Sequence, residues 1–191
     1  MLLFIDACVR KDSRTRRLAD CLLETLNRPY VHLHLCEHAF PPADEAFLNR
    51  RDLLLQQKAY DDPLFAYARQ FAAAEEIVIA APYWDLSFPA ALKQYLEQIN
   101  VVGITFFYTP QGVPKGLCRA KKLYYVSTAG GNFVPEEFGY GYVRALAQGF
   151  YGIADTQLIQ AGGLDIEGAD TESILRACMD GIRAKPNVQR T

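Results

Sequence analysis

The chain opens with Leu2-Leu3-Phe4-Ile5-Asp6 and runs through Ala7-Cys8-Val9-Arg10-Lys11-Asp12 into Ser13-Arg14-Thr15-Arg16. This stretch decides the fold. Leu2 to Ile5 is an unbroken apolar run, the pattern of a parallel strand covered on both faces. Leu18, Leu22, Leu23 and Leu26 then recur at helical spacing and predict an amphipathic helix over 13–26. The loop between them holds no Gly-x-Gly-x-x-Gly, which argues against a dinucleotide pyrophosphate site. It offers hydroxyls and cations just ahead of a helix, where unpaired N–H groups and the helix dipole favour a phosphate. Ser13 and Thr15 are the candidate side-chain donors, with Arg14 between them. A plain helix cap at Ser13, with the arginines on a solvated face, accounts for the same residues.

Outward from this unit the pattern repeats. Val31, Leu33 and Leu35 alternate with His32 and His34 in a second strand, and a polar stretch from Pro41-Pro42 to Phe71 holds one or two helices. Ile77-Val78-Ile79-Ala80-Ala81 is a third, buried strand stopped by Pro82. Leu92, Tyr95, Leu96 and Ile99 give the next helix its inner face. Residues 103–120 read as an excursion with turn signals at Pro110, Gly112, Pro114 and Gly116. A fourth strand over 123–127, a helix over 136–151 and a fifth strand over 157–160 follow. Ile174, Leu175, Cys178 and Ile182 line the last helix, with Asp170 as its N-cap. Strands alternating with helices imply a doubly wound α/β domain, a five-stranded parallel sheet with right-handed crossovers and helices on both faces. We read residues 1–184 as one domain and 185–191 as a loose tail.

Bulk properties exclude several classes. The chain has 191 residues, 50% of them hydrophobic and 22% charged, which is ordinary globular composition. A formal net charge of −2 argues against a nucleic-acid binder. The five cysteines are scattered, odd in number and without a Cys-x-x-Cys pair, which suits a reducing cytoplasm. The apolar start has no basic flank and no small-residue cleavage site, so it reads as a strand and not a signal peptide. No apolar run is long enough for a membrane span. His32, His34, Cys36 and His38 fall at every second position, a spacing that could chelate a metal on one strand face. On an edge strand a polar outer face is expected, so we assign no metal there.

Two more clusters follow strands. Pro82-Tyr83-Trp84-Asp85-Leu86 is a rigid aromatic loop against which a flat ring could lie; a well-packed strand-to-helix turn would look similar. Thr128-Ala129-Gly130-Gly131 follows the fourth strand, where paired glycines allow close backbone approach or positive φ, or simply a turn. In the strand order 2-1-3-4-5 the first, third and fourth strands are neighbours, so all three loops converge on one crevice.

Residues 82–93, residues 103–112, Lys121-Lys122 and Gly130-Gly131 together resemble the flavodoxin-like NAD(P)H:quinone oxidoreductase and FMN-dependent azoreductase family. The resemblance implies FMN, with its phosphate near Ser13, Arg14 and Thr15 and Cys8 close by. It places the flavin ring against Pro82, Tyr83, Trp84, Asp85 and Leu86 and against Thr128, Ala129, Gly130 and Gly131. It implies a homodimer that takes hydride from NADH or NADPH and passes it to a quinone, azo or nitro acceptor in a ping-pong cycle. Tyr108 and Phe133 are candidate substrate walls, and Tyr108 or water the candidate proton donor. The family often has Ser or His at Cys8, Asn at Asp85, and Arg or another polar residue at Ala129. A lost hydroxyl near the phosphate costs about 0.5–1.5 kcal/mol. Asp85 can accept from the flavin N3–H but, while ionised, cannot donate. Two other readings stay open: a non-catalytic electron carrier, and a cofactor-free structural or regulatory relative.

Overall fold

The structure, a computed structural model, describes residues 1–184, so the tail assigned to 185–191 lies outside the described residues. In chain order the strands are β1 (Leu2–Asp6), β2 (Tyr30–His34), β3 (Glu76–Ala80), β4 (Phe106–Tyr108), β5 (Pro114–Gly116), β6 (Lys122–Thr128) and β7 (Asp155–Ala161). Five of them form a parallel sheet in the order β2-β1-β3-β6-β7, while β4 and β5 pair only with each other. With that hairpin set aside, the order is 2-1-3-4-5.

Burial on both faces explains the continuous apolar runs. Leu3, Ile5, Ile77, Ile79, Leu123 and Tyr125 point to one side, under α3 (Ala66–Ala73), α4 (Ala90–Ile99) and α5 (Tyr140–Leu146). Leu2, Phe4, Val78, Tyr124, Val126 and Ile159 point to the other, against Leu18 and Leu22 of α1 (Arg14–Leu26) and Leu175 and Ile182 of α6 (Thr171–Arg183). α1 starts at Ser13, whose Oγ accepts from the Arg16 N–H at 3.3 Å, and ends at Asn27 in the left-handed region. The polar stretch before α3 contains α2 (Glu45–Gln56), capped by Asp44; it has no fully buried residue and only leans Leu54 and Leu55 on the core.

Two sequence expectations change and a third gains detail. β2 ends at His34 and Leu35–Glu37 turns as a 3-10 helix, so the alternation of His32, His34, Cys36 and His38 does not continue along one strand. The His32 and His34 rings stack at 6.0 Å, and among the described residues no group of three or more His, Cys, Asp or Glu is placed to hold a metal. The helix expected over 136–151 is three pieces: a 3-10 turn Glu136–Phe138, α5, and a wide π turn Ala147–Tyr151. Gly139, at φ −109 and ψ −98, breaks the first junction, and Gly152 at φ 78 ends the last. The excursion over 103–120 is the β4–β5 hairpin, docked so closely that a Cβ on Gly116 would clash with the Tyr151 backbone. No helix among the described residues is long and apolar enough to cross a membrane.

At the carboxyl end of β1, Asp6 is fully buried and ion-paired with Arg16 of α1. It also accepts from the Cys8 N–H at 2.8 Å and lies 3.2 Å from His32 Nε2. Because Arg16 claims the carboxylate, burial and the Arg16 charge hold the His32 imidazole below its ordinary value. A buried carboxylate stripped of its cation is costly. Arg16→Met should therefore destabilise the protein by about 3–5 kcal/mol, and Asp6→Asn in the same chain should recover much of that loss. Urea unfolding at pH 7 of wild type, single and double mutants checks both effects.

Candidate functional site

The loops after β1, β3 and β6 begin as extensions of the sheet. The Ala7 N–H donates to Ala80 O, Ala81 to Val126 O, Tyr83 to Thr128 O and Ala129 to Ala161 O, each at 2.9 Å. The loops therefore leave the sheet at fixed points, and a cleft of about 140 Å³ opens among them. The first loop contributes Arg10, Asp12, Ser13, Arg14 and Thr15, the second Pro82, Tyr83 and Trp84, and the third Thr128 and Gly130. Thr15 Oγ1 and Thr128 Oγ1 lie 2.6 Å apart, both buried, so one hydroxyl donates to the other and ties the first loop to the third.

Most cations of the first loop are committed. Arg16 is held by Asp6, and Arg17 makes a fork on Glu172 at 2.8 and 2.7 Å. Arg14 Nη1 donates to Leu164 O at 3.1 Å and to Asp165 Oδ1 at 2.8 Å, and this bond holds the Asp165 carboxyl below the usual range. At the start of α1, beside the cleft, the first N–H groups have no intrahelical acceptor, and that of Arg16 is capped by Ser13.

The second loop carries a two-residue turn. Trp84 N–H donates to Ser87 O at 3.0 Å, Ser87 N–H donates to Trp84 O at 2.7 Å, and Asp85 and Leu86 stand at φ 48 and φ 67. Both central residues are left-handed, as in a type I′ turn, where Asn and Gly are preferred. The loop is braced from behind by Tyr83 Oη on Pro135 O at 3.2 Å and by Ser87 Oγ on Phe138 O at 2.9 Å.

Ser13, Arg14, Thr15, Pro82, Tyr83, Trp84, Thr128 and Gly130, all singled out from sequence, therefore line one cleft. Asp85 and Leu86 sit next door, in a more apolar groove of about 390 Å³ with Glu137, Phe138 and Tyr142. Cys8 is buried beneath, its Sγ 3.9 Å from Ala80 O, and burial pushes its thiol up to about 11, so it stays protonated at neutral pH. Ala129 is buried in the strand extension and Gly131 is exposed beside it. Tyr108 and Phe133 lie outside the cleft and are exposed. Neither Gly130 nor Gly131 has positive φ. Gly130 lets the Asp165 carboxylate lie close, because a Cβ there would meet Asp165 Oδ2 and displace that side chain. Val9, Arg10, Asp12 and Asp165 are lining residues that pattern reasoning did not single out; for Asp165 the signal was Gly162-Gly163 directly after the fifth strand, the same kind of pair as Gly130-Gly131.

A parallel sheet of this order with a polar cleft at the strand switch defines a nucleotide- or flavin-binding α/β class. Residues 1–185 match the family model described as flavodoxin-like fold. FMN-dependent NADH:quinone oxidoreductase 2 of Clostridium acetobutylicum is 37% identical over 186 residues, 92% of each chain. FMN-dependent NADH:quinone oxidoreductase of Clostridium beijerinckii is 35% identical over 188 residues, 94% of each chain. Azoreductase from Bacillus anthracis str. Sterne superimposes with a TM-score of 0.84 at 25% identity, covering 100% of this chain and 99% of that one. The chain belongs to the flavodoxin-like family, in the group of the FMN-dependent NADH:quinone oxidoreductases and azoreductases.

Left-handed φ at a branched apolar residue is strained, at a cost of order 1–3 kcal/mol. Leu86→Gly should relieve it and, after the entropy penalty of glycine, raise stability by about 0.5–1 kcal/mol. Thermal unfolding of mutant and wild type at matched concentration reads this gain.

Proposed function

We propose that the cleft receives the phosphate of FMN and that the protein is an FMN-dependent NADH oxidoreductase whose acceptor is a flat, electron-poor quinone, azo or nitro compound. The observation that carries this reading is the convergence of the loops after β1, β3 and β6 on one cleft, cross-linked by the Thr15–Thr128 hydrogen bond. The donor set fits a phosphate: the Ser13 hydroxyl, whichever of the Thr15 and Thr128 hydroxyls is not spent on the other, the α1 N-terminus, and Arg14 and Arg10. Asp12 and Asp165 also line the cleft, so the α1 dipole and oriented N–H groups, more than net charge, have to select the anion. When bound there, FMN would supply the hydride chemistry between NADH and the acceptor. Tyr83 and Trp84 offer aromatic surface beside the cleft, and the braced turn holds them there.

No hairpin residue lines the cleft, and Phe107, Tyr108, Phe133, Phe138, Trp84 and Leu86 are all exposed. Exposed aromatic and apolar side chains in this number suit an interface. A homodimer in which a second copy covers the flavin edge accounts for it, and places Tyr108 or Phe133 against an acceptor from across the interface. The absence of disulfides among the described residues is in keeping with a cytoplasmic setting.

Purified protein should bind FMN more tightly than FAD and oxidise NADH when a quinone is present. Replacing Ser13 and Thr15 together with Ala should weaken FMN binding by about 1–3 kcal/mol. Fluorescence titration checks the affinities, and tighter FAD binding overturns the cofactor assignment. Light scattering at micromolar concentration should report a dimer; a monomer would leave the cleft uncovered and speak for an electron carrier.

A further inference from the structure

The geometry points to Asp165 as the residue that positions Arg14 for the cofactor phosphate. This inference rests on the reading that the phosphate occupies the cleft. Arg14 projects from the first turn of α1, and both of its hydrogen bonds fall on one terminal nitrogen. Nη1 takes Leu164 O and Asp165 Oδ1, while no protein acceptor among the described residues takes Nη2 or Nε. A guanidinium is a rigid planar fork, so fixing one nitrogen at two points fixes the direction of the other donors. Arg14 lines the cleft, and those uncommitted donors are available to an anion bound there.

Asp165 is itself held in place. Gly163 N–H donates to Gly131 O at 3.0 Å, Leu164 N–H to Ala129 O at 3.2 Å, and Asp165 N–H to Gly130 O at 2.9 Å. Three successive backbone bonds thus lay the loop after β7 along the loop after β6. Thr171 Oγ1 adds a bond to Leu164 O at 2.9 Å, steadying the carbonyl that Arg14 also uses. Gly130 leaves the space in which the carboxylate sits. A bare carboxylate in a phosphate site would repel the ligand; paired with Arg14 it presents no net charge and leaves the remaining guanidinium donors pointed. The loop after the fifth strand, which touches no reacting group, then contributes to cofactor affinity through Arg14 alone.

The test uses the full chain stripped of flavin and compares two probes that differ only in the phosphate: FMN and riboflavin, titrated by fluorescence. Wild type should bind FMN far more tightly than riboflavin. Asp165→Ala should lower FMN affinity about tenfold, the size of one charge-assisted contact, and leave riboflavin within about twofold. Arg14→Gln should lose at least as much, and Asp165→Ala added to Arg14→Gln should cost nothing more. Equal loss of both ligands in Asp165→Ala means a merely structural loop and overturns the inference. Tighter FMN binding in Asp165→Ala means that the carboxylate competes with the phosphate for Arg14, and overturns it too. If the variants keep wild-type discrimination, only the role of Asp165 falls. If wild type itself fails to discriminate, the phosphate is not in this cleft and the functional reading falls with it.

Discussion

Asp6 and Arg16 are joined across the cleft-forming loop, and much of the site depends on that ion pair. Asp6 ends the strand flanked on both sides by parallel neighbours, and Arg16 sits in the first turn of the helix that follows. Pairing them sets the distance between strand end and helix start, and so the path of residues 7–13. The same carboxylate accepts the Cys8 N–H, which satisfies a backbone donor the loop would otherwise bury. A fully buried charge is tolerated only when paired and hydrogen-bonded, and here both conditions are met within ten residues of chain. What a phosphate would meet is therefore a loop whose backbone is positioned before any ligand arrives.

From that anchor the site is assembled by cross-loop bonds, not by the sheet alone. Thr15 and Thr128 join the first and third loops, Tyr83 N–H reaches Thr128 O, and Arg14 reaches the loop after β7. Each bond links residues far apart in sequence, so the cleft cannot form before the strands are registered. This is the arrangement a preorganised site needs: donors fixed by neighbours whose own positions are determined by packing. It also limits charge. Arg16 and Arg17, which look free in the sequence, are spent on structural partners, which leaves helix N–H groups, hydroxyls, Arg10 and a partly committed Arg14 at the cleft.

The second loop shows the opposite economy. Its left-handed Asp85 and Leu86 carry local strain, and the turn keeps Trp84 and Leu86 exposed on a surface that also shows Phe138. Strain retained at an exposed apolar turn suits an element selected for what it presents rather than for the stability of the isolated chain. The broken helix after β6 belongs to the same design: Pro135 and Phe138 offer their carbonyls to Tyr83 and Ser87, contacts that one continuous helix over 136–151 would not expose in this way.

By itself the sequence determined the alternation of strands and helices, the layers and the loops that follow each strand, while the strand order, on which the meeting of those loops depends, is set by the structure. Runs such as Leu2 to Ile5 and Ile77 to Ala81 are apolar at every position because both faces of a parallel sheet are buried, and that pattern is local and legible. Ser13 as a helix start and the loops after the first, third and fourth strands follow from equally local chemistry. Only the tertiary structure decided which polar groups are partners. The Thr15–Thr128 bond, the Asp165 brace and the close approach of Gly130 to that carboxylate all depend on residues brought together by strand register, and the Asp6–Arg16 pair on how the first helix packs back on its strand. The same holds for Asp85, which adjacency in sequence grouped with Trp84 and the fold turns toward a separate groove. Periodicity reports which face of an element is buried; it carries no information about the partner across a gap of a hundred residues, because that contact exists only once the chain has closed on itself.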